Sequence, residues 1–185
     1  SNGRCRKRDV VTTLELKRVT VHTCGPWSVT AQVPNQTLSG AASAVWTAAN
    51  RAIYVPFWLP VRLLVTQLFS WTGATASGNI DVGLYSASGA KLVSSGSTAQ
   101  SASVNVLQAF NIADIALAPG TYYFAVAMDN TTGTVFRINP NANIQRGTGM
   151  FLQETAFPLP TAATFASFGT VNYIPIVGLT TRSFL

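Results

Sequence analysis

Six carboxylates, one histidine and two cysteines are the whole acid–base and metal-binding inventory of this 185-residue chain. Asp9, Glu15, Asp81, Asp114, Asp129 and Glu154 are spread so that no two form a close motif. Glycoside hydrolysis needs two carboxyls about 5 to 9 Å apart across the sugar. Asp81 with Asp129 or Glu154 could reach that spacing only through the fold. A serine triad would have to draw on His22, and no Gly-x-Ser-x-Gly turn is present to carry the nucleophile. Gly147-Thr148-Gly149 has neither a lysine nor a strand-to-helix setting, so it does not read as a phosphate loop. Cys5 and Cys24, with only His22 nearby, fall short of the ligand set that zinc takes. The residues point away from an enzyme, and no catalytic cofactor is expected.

Binding chemistry is better supplied. Asn79, Asp81, Asp129 and Asn130 offer oxygen ligands at strand ends, where β-sandwiches can hold a structural Ca²⁺. The same residue types also cap turns, which is their commoner use. Tyr54, Phe57, Trp58 and Trp71 could form a sugar-stacking platform, although aromatics at strand period usually belong to the core. Trp71 reads as core. Trp58, flanked by Pro56 and Pro60, is the best candidate for an exposed ring that contacts glycan. Cys5 and Cys24 could pair and close a loop of about twenty residues, for ~3 kcal/mol in the chain-entropy account. Two free thiols in a reducing compartment are the equal alternative. Asn35-Gln36-Thr37 and Asn130-Thr131-Thr132 match the glycosylation sequon, which matters only in a eukaryotic secretory setting.

The elements that must position these residues are short strands. In Leu117–Asp129 a Pro119-Gly120 turn signal opens a run in which Tyr122, Phe124, Val126 and Met128 share one face. Thr121, Tyr123, Ala125 and Ala127 share the other. Both faces are largely apolar, which predicts a central strand covered on both sides. Similar strands are expected over Thr13–His22, Trp27–Val33, Ala52–Trp58, Val61–Trp71, Ile80–Tyr85, Lys91–Val93, Val104–Ile112, Thr134–Ile138 and Gly149–Glu154. In Val61–Trp71 the alternation puts Val61, Leu63, Val65, Gln67, Phe69 and Trp71 on one face. Ala41–Asn50 could be a helical turn or an extended linker, and Asn139–Asn143 reads as a loop. Phe157-Pro158-Leu159-Pro160 cannot join a central ladder, and Tyr173–Leu179 is expected as an edge strand. The pattern is all-β: a β-sandwich of jelly-roll type with an N-terminal extension. The division is drawn at residues 1–49 for the arm and anchoring strands and 50–185 for the sandwich.

Charge separates these two parts. Arg4, Arg6, Lys7, Arg8, Lys17 and Arg18 supply half of the twelve basic residues, whereas charged residues are only 10% of the chain. Soluble domains usually carry ~25%. So charge-poor a body suits one buried against other subunits, and a homo-oligomer is expected. The basic arm could lie on nucleic acid or another anionic surface. With no aromatic residues interleaved it reads better as a tether ordered on a neighbouring subunit, with no specific nucleic acid bound. No apolar run reaches the ~18 residues of a membrane-spanning helix, and the basic N-terminus lacks the apolar run of a secretory signal.

Three runs carry a family resemblance: Asn50-Arg51-Ala52-Ile53-Tyr54-Val55-Pro56-Phe57, Gly78-Asn79-Ile80-Asp81-Val82-Gly83-Leu84-Tyr85 and Leu117-Ala118-Pro119-Gly120-Thr121-Tyr122-Tyr123. Over residues 50 to 140 the chain resembles small virion-associated proteins of tailed bacteriophages. The resemblance implies a jelly-roll sandwich on capsid, tail or fibre, commonly trimeric, with other virion proteins as partners and no catalytic residues. A structural virion protein anchored by its N-terminal segment is the expectation. A carbohydrate-binding or host-receptor-binding module that takes surface glycan is the alternative.

Overall fold

The structure, a computed structural model, describes residues 19–23, 41–140 and 142–182. Fourteen strands are assigned in it: β1 (Val19–Thr23), β2 (Ala41–Val45), β3 (Ala52–Leu59), β4 (Leu63–Trp71), β5 (Asn79–Ser86), β6 (Lys91–Ser94), β7 (Thr98–Ala99), β8 (Leu107–Leu117), β9 (Gly120–Met128), β10 (Thr134–Ile138), β11 (Phe151–Gln153), β12 (Ser167–Phe168), β13 (Ile174–Pro175) and β14 (Val177–Arg182). Among the described residues one short helix, α1 (Ala142–Gly147), interrupts them.

Two antiparallel sheets form the body. One has the order β1-β14-β4-β8, and the other runs β12-β11-β3-β9-β5-β6, with β7 on β5. Counting only β1, β3, β4, β5, β6, β8, β9 and β14 along the chain, the sheets read 1-8-3-6 and 2-7-4-5. That is the jelly-roll order, so the fold expected from the strand pattern is the one present. A third, small sheet of β13-β10-β2 closes one side.

β9 lies between β3 and β5, and its alternation does what the sequence demands. Phe124, Val126 and Met128 are fully buried with Ile53, Val55 and Phe57 of β3 and Ile80, Val82 and Leu84 of β5. Val65, Leu68, Phe110, Val177 and Leu179 of the other sheet complete this inter-sheet core. Phe57 stacks on Phe124 with centroids 4.3 Å apart. The opposite face of β9 is buried too, in a second cluster of Ala52, Tyr54, Tyr85, Ala125, Ala127, Ala156 and Leu159. Here the segment 154–166 crosses the outside of the sheet as a strap. Tyr54 and Tyr85 meet edge to face at 5.2 Å over β9, where the small Ala125 stands opposite Tyr54.

Five local expectations are corrected. In β4 the single apolar face breaks: the pairing shifts between Val65 and Gln67, so Val65 and Leu68 both reach the core while Val61 is exposed. An irregularity of this kind reverses strict alternation. Trp71 therefore stays half-buried, tilted against Phe136 at 6.1 Å, rather than in the core. Ala41–Val45 is a strand on β10, and Trp46 is buried with its indole N–H donating to the Arg51 carbonyl at 2.9 Å. Packing of the sandwich thus reaches back past residue 50. The segment Tyr173–Leu179 divides: Pro175 sits in the two-residue edge strand β13, where a missing N–H costs no ladder bond, but β14 is interior, between β1 and β4. Finally, the loop expected at Asn139–Asn143 runs into α1, whose Gln145 is buried and bonds Tyr173 O and Asn172 N.

Candidate recognition surfaces

The four proposed calcium ligands split into two places. Asn79, Asp129 and Asn130 come together at the end of β5. There Asp129 Oδ1 accepts from Asn79 N at 3.0 Å and from Asn130 Nδ2 at 2.6 Å. Asn130 Oδ1 accepts from the Thr132 and Gly133 amides, each at 2.8 Å. This is turn capping: Asp129 Oδ1 and Asn130 Oδ1 are each occupied by two N–H donors, and an amide N–H₂ points at the carboxylate. Gly78 completes the turn, at φ 65°, because a Cβ there would run into Asp129 and Asn130. The arrangement does not fit a cation. No group of three or more His, Cys, Asp or Glu side chains that could hold a metal occurs among the described residues.

Asp81 serves elsewhere. It is fully buried on the strap side of β5, where Oδ2 accepts from Leu159 N at 3.0 Å and Oδ1 from Ser95 Oγ at 3.3 Å. Lys91 Nζ donates to Leu159 O at 2.6 Å, and Tyr85 OH donates to Pro160 O. Burial pushes the Asp81 carboxyl above its usual range, against the pull of the Leu159 amide, Ser95 and Lys91. The Leu159-Pro160 strap is thereby tied to β5 and β6 by three side chains. A lone Asp in an otherwise apolar strand was the available sign of this role.

Of the aromatic platform, Tyr54 and Phe57 are buried, whereas Trp58 is 54% exposed at the far end of β3. Phe168, which sequence reasoning passed over, is 52% exposed on the same outer face. The register Tyr54–Phe151–Phe168 places it across the sheet from Tyr54. The signal that could have found it is the Phe151, Phe165, Phe168 set. These three rings stack in sequence, Phe165 on Phe151 and Phe151 on Phe168, each pair at 5.0 Å.

Beside Phe168 lies a cleft of about 360 Å³ whose rim includes Arg51, Glu154, Thr164, Ser167 and Thr170. The β3–β11 register sets it up: Ala52 faces Gln153, so the next residues, Arg51 and Glu154, face each other. Arg51 donates to Glu154 Oε1 through Nε and NH2, both at 2.7 Å. Behind them Gln153 Oε1 accepts from Tyr54 OH and Thr164 N. A further set of exposed apolar side chains, Val104, Val106 and Leu107, stands at the start of β8.

Arg4, Arg6, Lys7, Arg8, Lys17, Arg18, Cys5 and Cys24 lie outside the described residues, as does the expected strand Trp27–Val33. From residue 19 onward six basic side chains face four acidic ones. Fold and surface together define a jelly-roll sandwich with little charge and several exposed apolar groups. The chain matches no protein-family model, and no curated protein matches it in sequence.

Proposed function

We propose that the chain is a structural protein of a tailed-phage virion, displayed on capsid or tail and anchored through its N-terminal segment. The observation that carries the reading is the jelly roll whose surface is poor in charge and leaves Val45, Trp58, Val61, Val104, Val106, Leu107 and Phe168 exposed. Such a surface favours burial against neighbours over isolation in water. The resemblance of residues 50 to 140 to virion-associated proteins supports it, and so does the concentration of basic residues before residue 19. The partners are other virion proteins and further copies of this chain, most simply in a trimer. The role is assembly, not catalysis.

Light scattering on the full chain tests the assembly, with a trimer expected. A monomer at micromolar concentration would remove the argument from composition. Immunogold labelling of particles of the phage that encodes the chain tests the location, and absence from purified particles overturns the reading. Host-surface recognition is the second reading, favoured by the exposed Trp58 and Phe168 on one sheet face.

A further inference from the structure

We propose that the cleft between Arg51, Glu154 and Phe168 binds a neutral pyranose sugar. A pyranose presents a flat face of C–H groups and a rim of hydroxyls, and the cleft offers a counterpart to each. Phe168 is half exposed, yet its ring is held by the stack on Phe151 at 5.0 Å and 25°. A ring fixed in this way gives an apolar plane without a large ordering cost on binding. Around it, Glu154 Oε2, Ser167 Oγ and Thr170 Oγ1 make no hydrogen bond to another described residue, so the carboxylate oxygen can accept from sugar hydroxyls and the two side-chain hydroxyls can accept from or donate to them. The cleft, at about 360 Å³, is within the size range of small-ligand sites.

Charge selects neutral over ionic ligands. Arg51 and Glu154 are the only charged groups in the lining, and they already neutralise each other at 2.7 Å. An acidic sugar would have to break that pair to reach the guanidinium. A neutral sugar can instead use the fixed carboxylate as an acceptor for adjacent hydroxyls. Trp58 is exposed on the same face but lies four residues along β3 from Tyr54, about 13 Å away at strand rise. It is therefore a separate surface and serves as the control. Sugar binding here does not depend on the virion reading, because particle assembly and sugar recognition can each fail alone.

The test uses the full chain and four probes, the methyl glycosides of glucose, galactose, mannose and N-acetylglucosamine, in saturation-transfer NMR titrations. At least one is expected to bind saturably, with affinity unchanged by added salt because the ligand carries no charge. Phe168→Leu keeps an apolar cover over Phe151 but removes the flat face, and it should weaken binding roughly tenfold or more. Ser167→Ala and Glu154→Gln should each weaken it as well, with Trp58→Ala neutral. Unfolding midpoints of the variants separate lost binding from lost folding. No saturable binding by any of the four glycosides overturns the proposal. So does binding that survives both Phe168→Leu and Glu154→Gln, or binding that Trp58→Ala abolishes while Phe168→Leu does not.

Discussion

Asp81 and Leu159, 78 residues apart, are joined by a 3.0 Å hydrogen bond from the Leu159 amide to a carboxylate with no solvent exposure. The bond explains why a charged residue interrupts the apolar run of β5. The strap meets the sheet backbone only at isolated points, such as the bridge of Ala162 to Ala90, and at Leu159 and Pro160 its buried backbone groups take side-chain partners instead. Removing the acceptor in Asp81→Ala leaves the Leu159 N–H buried and unpaired, and should destabilise the fold by ~1–3 kcal/mol. Urea unfolding measures this directly.

The same carboxyl fixes a pH dependence. Burial raises its folded value above the unfolded one. Its contribution to stability is therefore fully present below the ordinary carboxylate range and is lost as pH rises through the raised folded value. Asp81→Asn keeps an acceptor for Leu159 and cannot ionise. Its urea midpoint should stay flatter than that of the wild type as pH rises above the ordinary carboxylate range. Identical pH profiles for the two proteins would show that the Asp81 carboxyl does not titrate differently in the folded state.

Leu159 also explains Gly83. A Cβ at position 83 would lie 2.8 Å from Leu159 Cδ1 and 3.1 Å from the Val93 carbonyl. Gly83→Ala is thus expected to cost ~1–3 kcal/mol through overpacking. Leu159→Val in the same chain relieves the nearer contact, so the double variant should be less destabilised than the sum of the two single ones. Additive losses in thermal melts would place the strain in the Val93 backbone instead.

Burial similarly holds tyrosines neutral. Desolvation pushes the Tyr54 hydroxyl up to about 12 and raises Tyr85 and Tyr173 further. Because the unfolded chain ionises near 10, these groups contribute stability below that pH and lose it as pH climbs through their raised values. Absorbance titration of the folded protein should show Tyr54 ionising near 12, with unfolding accompanying the ionisation of Tyr85. A single transition near 10 for all five tyrosines contradicts this.

The architecture was legible because period-two alternation is a local property. Tyr122 to Met128 gave away a strand buried on both faces, and the Gly89 hairpin was marked by its own residues. What stayed hidden depended on pairing across long separations. The irregularity at Val65 to Gln67 becomes visible only once β8 and β14 are in register. The interior place of β14 depends on β1, far back in the chain. The cleft was hidden for the same reason, since nothing local connects Arg51 with Glu154, 103 residues later. Trp58 could be picked out from its flanking prolines. For Phe168 the only local sign was its place in the Phe151, Phe165, Phe168 set, and that these rings stack is decided by the pairing of β11 with β12.

Arg51, on the cleft's rim, and Asn50, the residue before it, should respond differently to substitution. Arg51→Ala removes an ion pair whose Glu154 side chain is 59% exposed. Pairs this open contribute ~0–1 kcal/mol, so stability should barely move, and the change should shrink with added salt. Asn50 sits at φ 59°, a conformation that β-branched residues resist. Its backbone N–H donates to Met128 O at 2.8 Å and its carbonyl accepts from Ala156 N at 2.6 Å, so the turn cannot relax without losing both bonds. Asn50→Val should therefore cost ~1–3 kcal/mol, whereas Asn50→Gly should be tolerated. Urea midpoints of the three variants decide the matter. A large loss for Arg51→Ala with none for Asn50→Val would mean that the ion pair, not the backbone turn, holds the strap's first residues against β3.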